Sequence, residues 1–203
     1  MRGSHYGLMA ALLLMGCTLA PPPEIPMDRT SVDAGSRITR AGKPAQLIGT
    51  PLRVGQPLPD ITLVDSNLQP VRLADLKGSV LLLNFVPSLD TGVCERQTRL
   101  LNALIPTLPA GILAVVVSRD LPFAQARIKE LLQADNILFL SDYADARFGR
   151  KTGLLVQELM LLGRGVMVVD KRGVVRYLQV VPEMAHLPDL NRAAAAAAGL
   201  AAQ

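Results

Sequence analysis

Residues 84–99 read NFVPSLDTGVCERQTR and contain Cys94, one of the two cysteines in the 203-residue chain. Upstream, residues 80–86 form a short apolar run typical of a buried strand, and Pro87 ends it because proline cannot donate to a neighbouring strand. Downstream, leucines recur at helical spacing. The stretch therefore predicts a strand, a turn at residues 88–92 and a helix.

The predicted helix begins just before Cys94, with Asp90 and Thr91 as candidate N-caps. The first turn of a helix has unpaired N–H groups and the positive end of the helix dipole, and both favour an anion. An isolated cysteine thiol has a pKa of about 8.5, so this setting favours the reactive thiolate. Thr91, one turn earlier, can offer a hydroxyl to the sulfur. The alternative reading is a buried structural cysteine.

Pro87, Thr91 and Cys94 form the pattern PxxxTxxC, which resembles the peroxidatic motif of the peroxiredoxins. The segment PSLDTGVC followed by Arg99, and then SRDLPFAQAR at residues 118–127, is similar to the bacterial thiol peroxidase branch of that family. The resemblance implies that Cys94 is the peroxidatic nucleophile, that Thr91 activates and orients it, and that Pro87 shields the site from water.

A later arginine completes the resemblance, which runs from about residue 37 to the C-terminus. The family uses an arginine on a later strand to hold the thiolate and the peroxide oxygens, and the segment LLGRGVMVVD puts Arg164 at that place. A guanidinium has several donors in a fixed fork, so it can stabilise a thiolate and a developing oxyanion together. Without the family pattern, Arg164 would be interpreted as a surface arginine at a strand end.

The composition indicates one globular domain with tails. Half of the residues are hydrophobic, but only 3% are aromatic and there is no tryptophan, so the core must consist of Leu, Val, Ile and Ala. The net charge of +4 is scattered, without a basic run or interleaved aromatic residues. Nucleic-acid binding is therefore not indicated.

The N-terminal residues predict export and a lipid anchor. Residues 1–16 contain one basic residue and a short apolar run, as in a signal peptide. The run ends in LMGC, which resembles the bacterial lipobox and makes Cys17 the lipidated residue. By resemblance, Thr18 after that cysteine favours the outer membrane and a periplasmic location. The alternative is an ordinary secretory signal with an incidental cysteine.

The rest of the chain divides into a Pro-rich tether at residues 17–35 and one domain at residues 36–203. A turn signal between residues 37–40 and 45–48 predicts an N-terminal β-hairpin. Further strands are predicted at 61–64, 70–73, 112–117, 137–140, 166–169 and 174–181, and helices at 123–133, 144–150 and 184–202. This alternation fits a thioredoxin-like α/β fold of the peroxiredoxin type.

Several kinds of site are not expected from the sequence. No CxxC pair supports dithiol exchange, and no glycine pattern indicates a phosphate loop. His5 and His186 are the only histidines, too few for a histidine-rich metal site. The sequence therefore predicts no metal and no cofactor.

The main departure from the family pattern is at Lys129. Thiol peroxidases usually carry the resolving cysteine two residues beyond the arginine that corresponds to Arg127, and lysine stands there instead. A lipidated Cys17 could not replace it. The sequence thus predicts a one-cysteine peroxidase whose sulfenic acid at Cys94 is reduced by an external thiol or a thioredoxin-like protein. The alternative is a non-catalytic envelope peroxide sensor or adaptor. The resemblance also implies a homodimer.

Overall fold

The computed structural model describes residues 24–203 and contains two β-sheets and four α-helices within that range. The strands are β1 (Arg37–Arg40), β2 (Lys43–Ile48), β3 (Thr62–Asp65), β4 (Pro70–Arg72), β5 (Val80–Phe85), β6 (Ile112–Ser118), β7 (Ile137–Ser141), β8 (Leu155–Val156), β9 (Leu161–Leu162), β10 (Gly165–Val169) and β11 (Val175–Val180). The helices are α1 (Gly92–Leu104), α2 (Pro122–Leu131), α3 (Arg147–Thr152) and α4 (Leu190–Ala201).

The larger sheet has seven strands in the order β11, β10, β5, β6, β7, β3, β4. Strands β5, β6 and β7 are parallel, whereas β10 and β3 run antiparallel to their neighbours. The interior strand β5, VLLLNF, is buried along its whole length, as is typical of a nearly continuous apolar run. The smaller sheet has the order β1, β2, β8, β9 and is antiparallel throughout.

Alternate side chains of β5 point to opposite faces of the sheet and separate the core into two clusters. Leu81, Leu83 and Phe85 pack with the N-terminal hairpin and α3 on one face. Val80 and Leu82 pack with α1, α2 and α4 on the other. Three helices on one face, and the small sheet with α3 on the other, confirm the predicted α/β architecture, and β1 and β2 confirm the predicted hairpin.

The last helix is shorter than the sequence predicted. It begins at Leu190 instead of residue 184, because Pro188 lacks an N–H and Asp189 caps the helix by accepting from the backbone N–H of Arg192 at 3.0 Å. The short strands β8 and β9 were not predicted, since two-residue strands carry too little periodicity to be recognised.

The described end of the predicted tether packs on the domain. Met27 pairs with Leu187 and Val32 with Val180 in isolated bridges, and Ala34 is 5% exposed. The division of the chain at residue 36 stays a prediction, and residues 1–23, which include the first part of the predicted tether, lie outside the described range. None of the helices within residues 24–203 is long and apolar enough to cross a bilayer.

Candidate active site

Three chain segments meet at the carboxyl ends of the parallel strands. The loop after β5 leads into α1, and β6 ends beside it, because Phe85 pairs with Val117. Strand β10 runs the other way and pairs Gly165 with Phe85, so its first residues also lie at this end. The register therefore brings Arg164, one residue before β10, next to the loop that carries Cys94.

Cys94 lies in the first turn of α1 and is fully buried. Thr91 occupies the N-cap position in an extended conformation, but its side chain makes no capping hydrogen bond. Its hydroxyl instead lies 3.0 Å from Sγ of Cys94 and 3.1 Å from the carbonyl of Ser88. A hydroxyl has one proton, so it can donate to the sulfur when that is a thiolate, or donate to Ser88 and accept from the thiol.

Arg164 is the second group in contact with the sulfur. It is 2% exposed, which excludes the surface-arginine interpretation. Its Nη2 donates to Sγ of Cys94 at 3.2 Å, its Nη1 donates to Oε1 of Gln97 at 2.6 Å, and its Nε donates to the carbonyl of Met184 at 2.7 Å. Three contacts in three directions fix the plane of the guanidinium relative to the sulfur.

The charge of Arg164 has no carboxylate partner in the described part of the chain. The ion pairs within residues 24–203 involve other arginines and His186. A buried cation without an anion is costly, whereas a paired one is tolerated. Among its three contacts, Arg164 reaches one side chain that can carry a negative charge, Sγ of Cys94.

A buried network of polar side chains holds Arg164 through its contact with Gln97. Gln97 lies one helical turn after Cys94, accepts from Arg164, and donates through Nε2 to Oδ1 of Asn84 and to the carbonyl of Gly165. Both Gln97 and Asn84 are fully buried. The two acceptors, Asn84 and the carbonyl of Gly165, hold the NH2 end of the Gln97 amide. The amide oxygen therefore faces Arg164.

Asp120 holds the loop before the helix. Its carboxylate accepts from the hydroxyl of Ser88 and from the backbone N–H of Leu89, each at 2.7 Å. Asp120 follows β6 by two residues, so the parallel register of β5 and β6 places it beside this loop. The carboxylate thus positions the segment that ends in Thr91 and Cys94.

The other residues that the sequence analysis named lie around the site or outside the described range. Pro87 is buried two residues beyond the end of β5. Asp90 is not the cap that the sequence allowed, since it pairs with Arg127 at 2.8 Å on the surface. Lys129 lies partly exposed on α2. Cys17 lies outside the described residues.

Sequence reasoning assigned no role to Gln97, Asp120 or the carbonyl of Met184. Gln97 had a usable signal, because a polar residue three positions after Cys94 shares its helix face. Asp120 lay inside a segment noted only for its resemblance, and its partners lie 31 and 32 residues away. Met184 was predicted to lie in a helix. In a helix its carbonyl would point along the helix axis towards residue 188, away from Arg164.

Comparisons with known proteins agree with this geometry. The family model described as Redoxin matches residues 53–196. A thiol peroxidase of Halalkalibacterium halodurans is 41% identical over 160 residues, which cover 79% of this chain and 96% of the relative. The chain belongs to the thiol peroxidase family. A second thiol peroxidase, from Bacillus subtilis, is 39% identical over 165 residues, 81% of this chain and 98% of the relative.

Solved structures place this thiol peroxidase family member among the peroxiredoxins. A peroxiredoxin-like protein from Aquifex aeolicus superimposes with a TM-score of 0.73 at 33% identity, covering 79% of this chain and 97% of that one. A thiol peroxidase from Chromobacterium violaceum has a TM-score of 0.70 at 20% identity, covering 77% and 91%, and supports the fold alone. The predicted thioredoxin-like fold is confirmed.

Proposed function

We propose that the protein is a thiol-dependent peroxidase that reduces hydrogen peroxide or alkyl hydroperoxides through Cys94. The thiolate attacks one peroxide oxygen, an S–O bond forms, the O–O bond breaks, and the leaving oxygen takes up a proton to become water or an alcohol. The sulfur is oxidised to sulfenic acid and the peroxide is reduced by two electrons. Family membership and the geometry of the site both support this reaction.

The observation that carries the proposal is the contact between Arg164 and Cys94. Nη2 of the buried guanidinium lies 3.2 Å from Sγ, and the hydroxyl of Thr91 lies 3.0 Å from it. These donors favour the thiolate before reaction. During reaction they are aimed at the place where negative charge develops on the oxygens. In this proposal Cys94 is the nucleophile, Thr91 and Arg164 activate and orient it, and Pro87 limits access of water.

The recycling step would use an external reductant. The sequence contains only Cys17 and Cys94, with Lys129 where the family usually has its resolving cysteine. A thiol would attack the sulfenic acid, release water and form a mixed disulfide, and a second thiol would then restore Cys94. The reductant is a small thiol or a thioredoxin-like protein, and the reaction needs no cofactor or metal.

The proposal extends to location and assembly. Residues 1–16 act as a signal peptide, Cys17 carries the lipid, and residues 17–35 join the anchor to the domain at residues 36–203 in the periplasm, with the outer membrane as the favoured address. Family membership also favours a homodimer. Cys17→Ser tests the anchor: we expect loss of the lipid mass and release from the membrane fraction, with peroxide reduction unchanged.

A second candidate function is a peroxide sensor or adaptor that is oxidised without turnover. Lys129 favours it, because a chain without a resolving cysteine at that position cannot form the usual internal disulfide that recycles the oxidised sulfur. The two functions differ in recycling: an enzyme returns to the thiol state at each cycle, and a sensor keeps its sulfenic acid until a partner acts.

The test adds one equivalent of hydroperoxide to the full chain in detergent and follows Cys94 by stopped flow and mass spectrometry, with and without a small thiol. We expect rapid addition of one oxygen atom and recovery only when the thiol is present. The Cys94→Ser variant should consume no peroxide. Oxidation no faster than that of free cysteine would refute the peroxidase, and fast oxidation without recovery would favour the sensor.

A further inference from the structure

The loop after β11 supplies one of the three contacts that orient Arg164. Nε of the arginine donates to the carbonyl of Met184 at 2.7 Å, and Met184 itself is 5% exposed. The carbonyl is available because the chain is not helical here. The direction in which this carbonyl points therefore helps to set the position of the guanidinium above Cys94.

The residue before Met184 fixes this loop to the N-terminal hairpin. The carboxylate of Glu183 accepts four hydrogen bonds: from the hydroxyl of Thr39 at 2.7 Å, from the backbone N–H of Ala41 at 2.9 Å, and from those of Gly42 and Ala185 at 3.0 Å. Each carboxylate oxygen receives two of them.

The hairpin turn is shaped to offer these donors. Ala41 and Gly42 have φ values of 50° and 74°, the left-handed conformation that a two-residue hairpin turn needs. This conformation turns both N–H groups towards Glu183. The backbone completes the attachment, because Thr39 donates to the carbonyl of Pro182 at 2.7 Å and accepts from the N–H of Met184 at 2.8 Å.

The contacts also hold Glu183 in its charged form. Burial would raise the pKa of its carboxyl group, but the hydrogen bonds from Gly42, Ala185, Thr39 and Ala41 lower the pKa to about 2. A carboxylate bound in this way fixes its own backbone and that of the next residue. The next residue is Met184, so a chain of direct contacts runs from the hairpin turn to the sulfur.

We propose that Glu183 is a positioning residue for Cys94: it anchors the Met184 peptide to the hairpin and thereby holds Arg164 against the sulfur. This role rests on the proposed peroxidase function and assigns the N-terminal hairpin a part in activating the thiol. Glu183 does not touch the reacting atoms and acts through Arg164.

The chain contains a matched control in Glu158. Its carboxylate also binds the hairpin, accepting from the backbone N–H of Gln46 at 3.1 and 3.0 Å, but it lies on the opposite side of β2, next to β8. It has no contact with Met184 or Arg164 among the described hydrogen bonds. Glu158→Gln therefore makes the same exchange of a carboxylate for an amide at the hairpin without touching the proposed chain of contacts.

The test measures the rate of Cys94 alkylation by iodoacetamide as a function of pH in the full chain. For Glu183→Gln we expect about a tenfold lower rate at neutral pH, and a profile displaced to higher pH, because a misplaced guanidinium stabilises the thiolate less. Glu158→Gln should keep the parent profile. An unchanged profile for a folded Glu183→Gln would overturn the proposal.

A double variant separates positioning from general loss of structure. In an Arg164→Met background, Glu183→Gln should cause no further loss of alkylation rate, because its effect passes through the arginine. Independent, multiplying effects would overturn the proposal. If Glu183→Gln does not fold, Thr39→Val removes one donor and should shift the profile in the same direction. Alkylation requires no peroxide turnover, so these results stand apart from the peroxidase test.

Discussion

Nη2 of Arg164 donates to Sγ of Cys94 at 3.2 Å, although the two residues are 70 positions apart in the chain. The pairing of Gly165 with Phe85 brings them together, because it sets the start of β10 beside the end of β5. The arginine is buried, and the thiol is its neighbour at the carboxyl ends of the parallel strands. The geometry of the site thus depends directly on one strand register.

Arg164→Lys should lower the rate of peroxide reduction by about a hundredfold. Lysine keeps the charge but cannot contact Met184, Gln97 and Cys94 from one planar group. The measurement is the second-order rate of Cys94 oxidation by stopped flow. Arg176→Lys is the matched control, since Arg176 pairs with Asp170 away from the site and should leave the rate unchanged. Equal rates for both variants would contradict the assigned role.

Asp120→Asn should slow oxidation of Cys94 by about tenfold, because the loop loses one of the acceptors that position it. Unfolding should also become easier by about 1–2 kcal/mol, since an amide oxygen cannot accept from both Ser88 and Leu89 as the carboxylate does. Stopped flow and urea titration give the two values.

The control for Asp120 is Asp60→Asn, which removes the same charge from an exposed pair with Arg72. It should leave the oxidation rate at the parent value. A loss of rate in both variants would indicate an effect of net charge and would count against the loop-positioning role of Asp120.

Local sequence signals were sufficient for much of this site. Strand β5, the turn and α1 follow from apolar spacing, and Cys94 was expected in the first helical turn, where the structure places it. Arg164 was assigned by resemblance alone. The residues around Arg164 do not by themselves predict that its side chain is buried. The burial results from the pairing of β10 with β5, which lies eighty positions earlier in the chain.

Gly165→Ala should destabilise the fold by about 3 kcal/mol. A Cβ at this position would clash with the carbonyl oxygen of Gln179 and with the ring of Phe85, so the β11 backbone and the Phe85 side chain must shift. The measurement is the urea midpoint, followed by the oxidation rate of Cys94. Gly92→Ala, in the first turn of α1, meets nothing within 4 Å and should leave the midpoint unchanged or raise it. Equal midpoints would contradict the close packing at Gly165.

The charged state of Glu183 predicts a specific acid sensitivity. Its pKa falls from 4.5 to about 2 in the folded chain, so its contribution to stability is complete above pH 4.5 and is lost as the pH falls towards 2. Glu183→Gln should be less stable than the parent at about pH 7, and the difference should shrink at about pH 3. Denaturant titrations at the two pH values measure it, and a constant difference would contradict the prediction.

The sequence could not have indicated the contacts of Glu183. They join a hairpin turn to a loop more than 140 residues later, and the predicted last helix began at the next residue, Met184. Helix propensity favoured a helix from Met184. The helix begins later because Pro188 lacks an N–H and Asp189 is the N-cap, accepting from the backbone N–H of Arg192. The carbonyl of Met184 can accept from Arg164 because the helix begins only at Leu190 and leaves Met184 in a loop.

The N-terminal segment on β11 also has a consequence for solubility. In the seven-stranded sheet β11 has one neighbouring strand, β10, and its outer side is covered by two other segments: residues 55–56 pair with Val175, and the N-terminal segment pairs with Val180. Val32 donates to the carbonyl of Val180 at 3.0 Å, and the N–H of Val180 donates to the hydroxyl of Ser31 at 3.0 Å, so these groups are occupied. A chain shortened to begin at Ser36 would expose the backbone groups at the Val180 end of this edge, and a second copy could add a strand there.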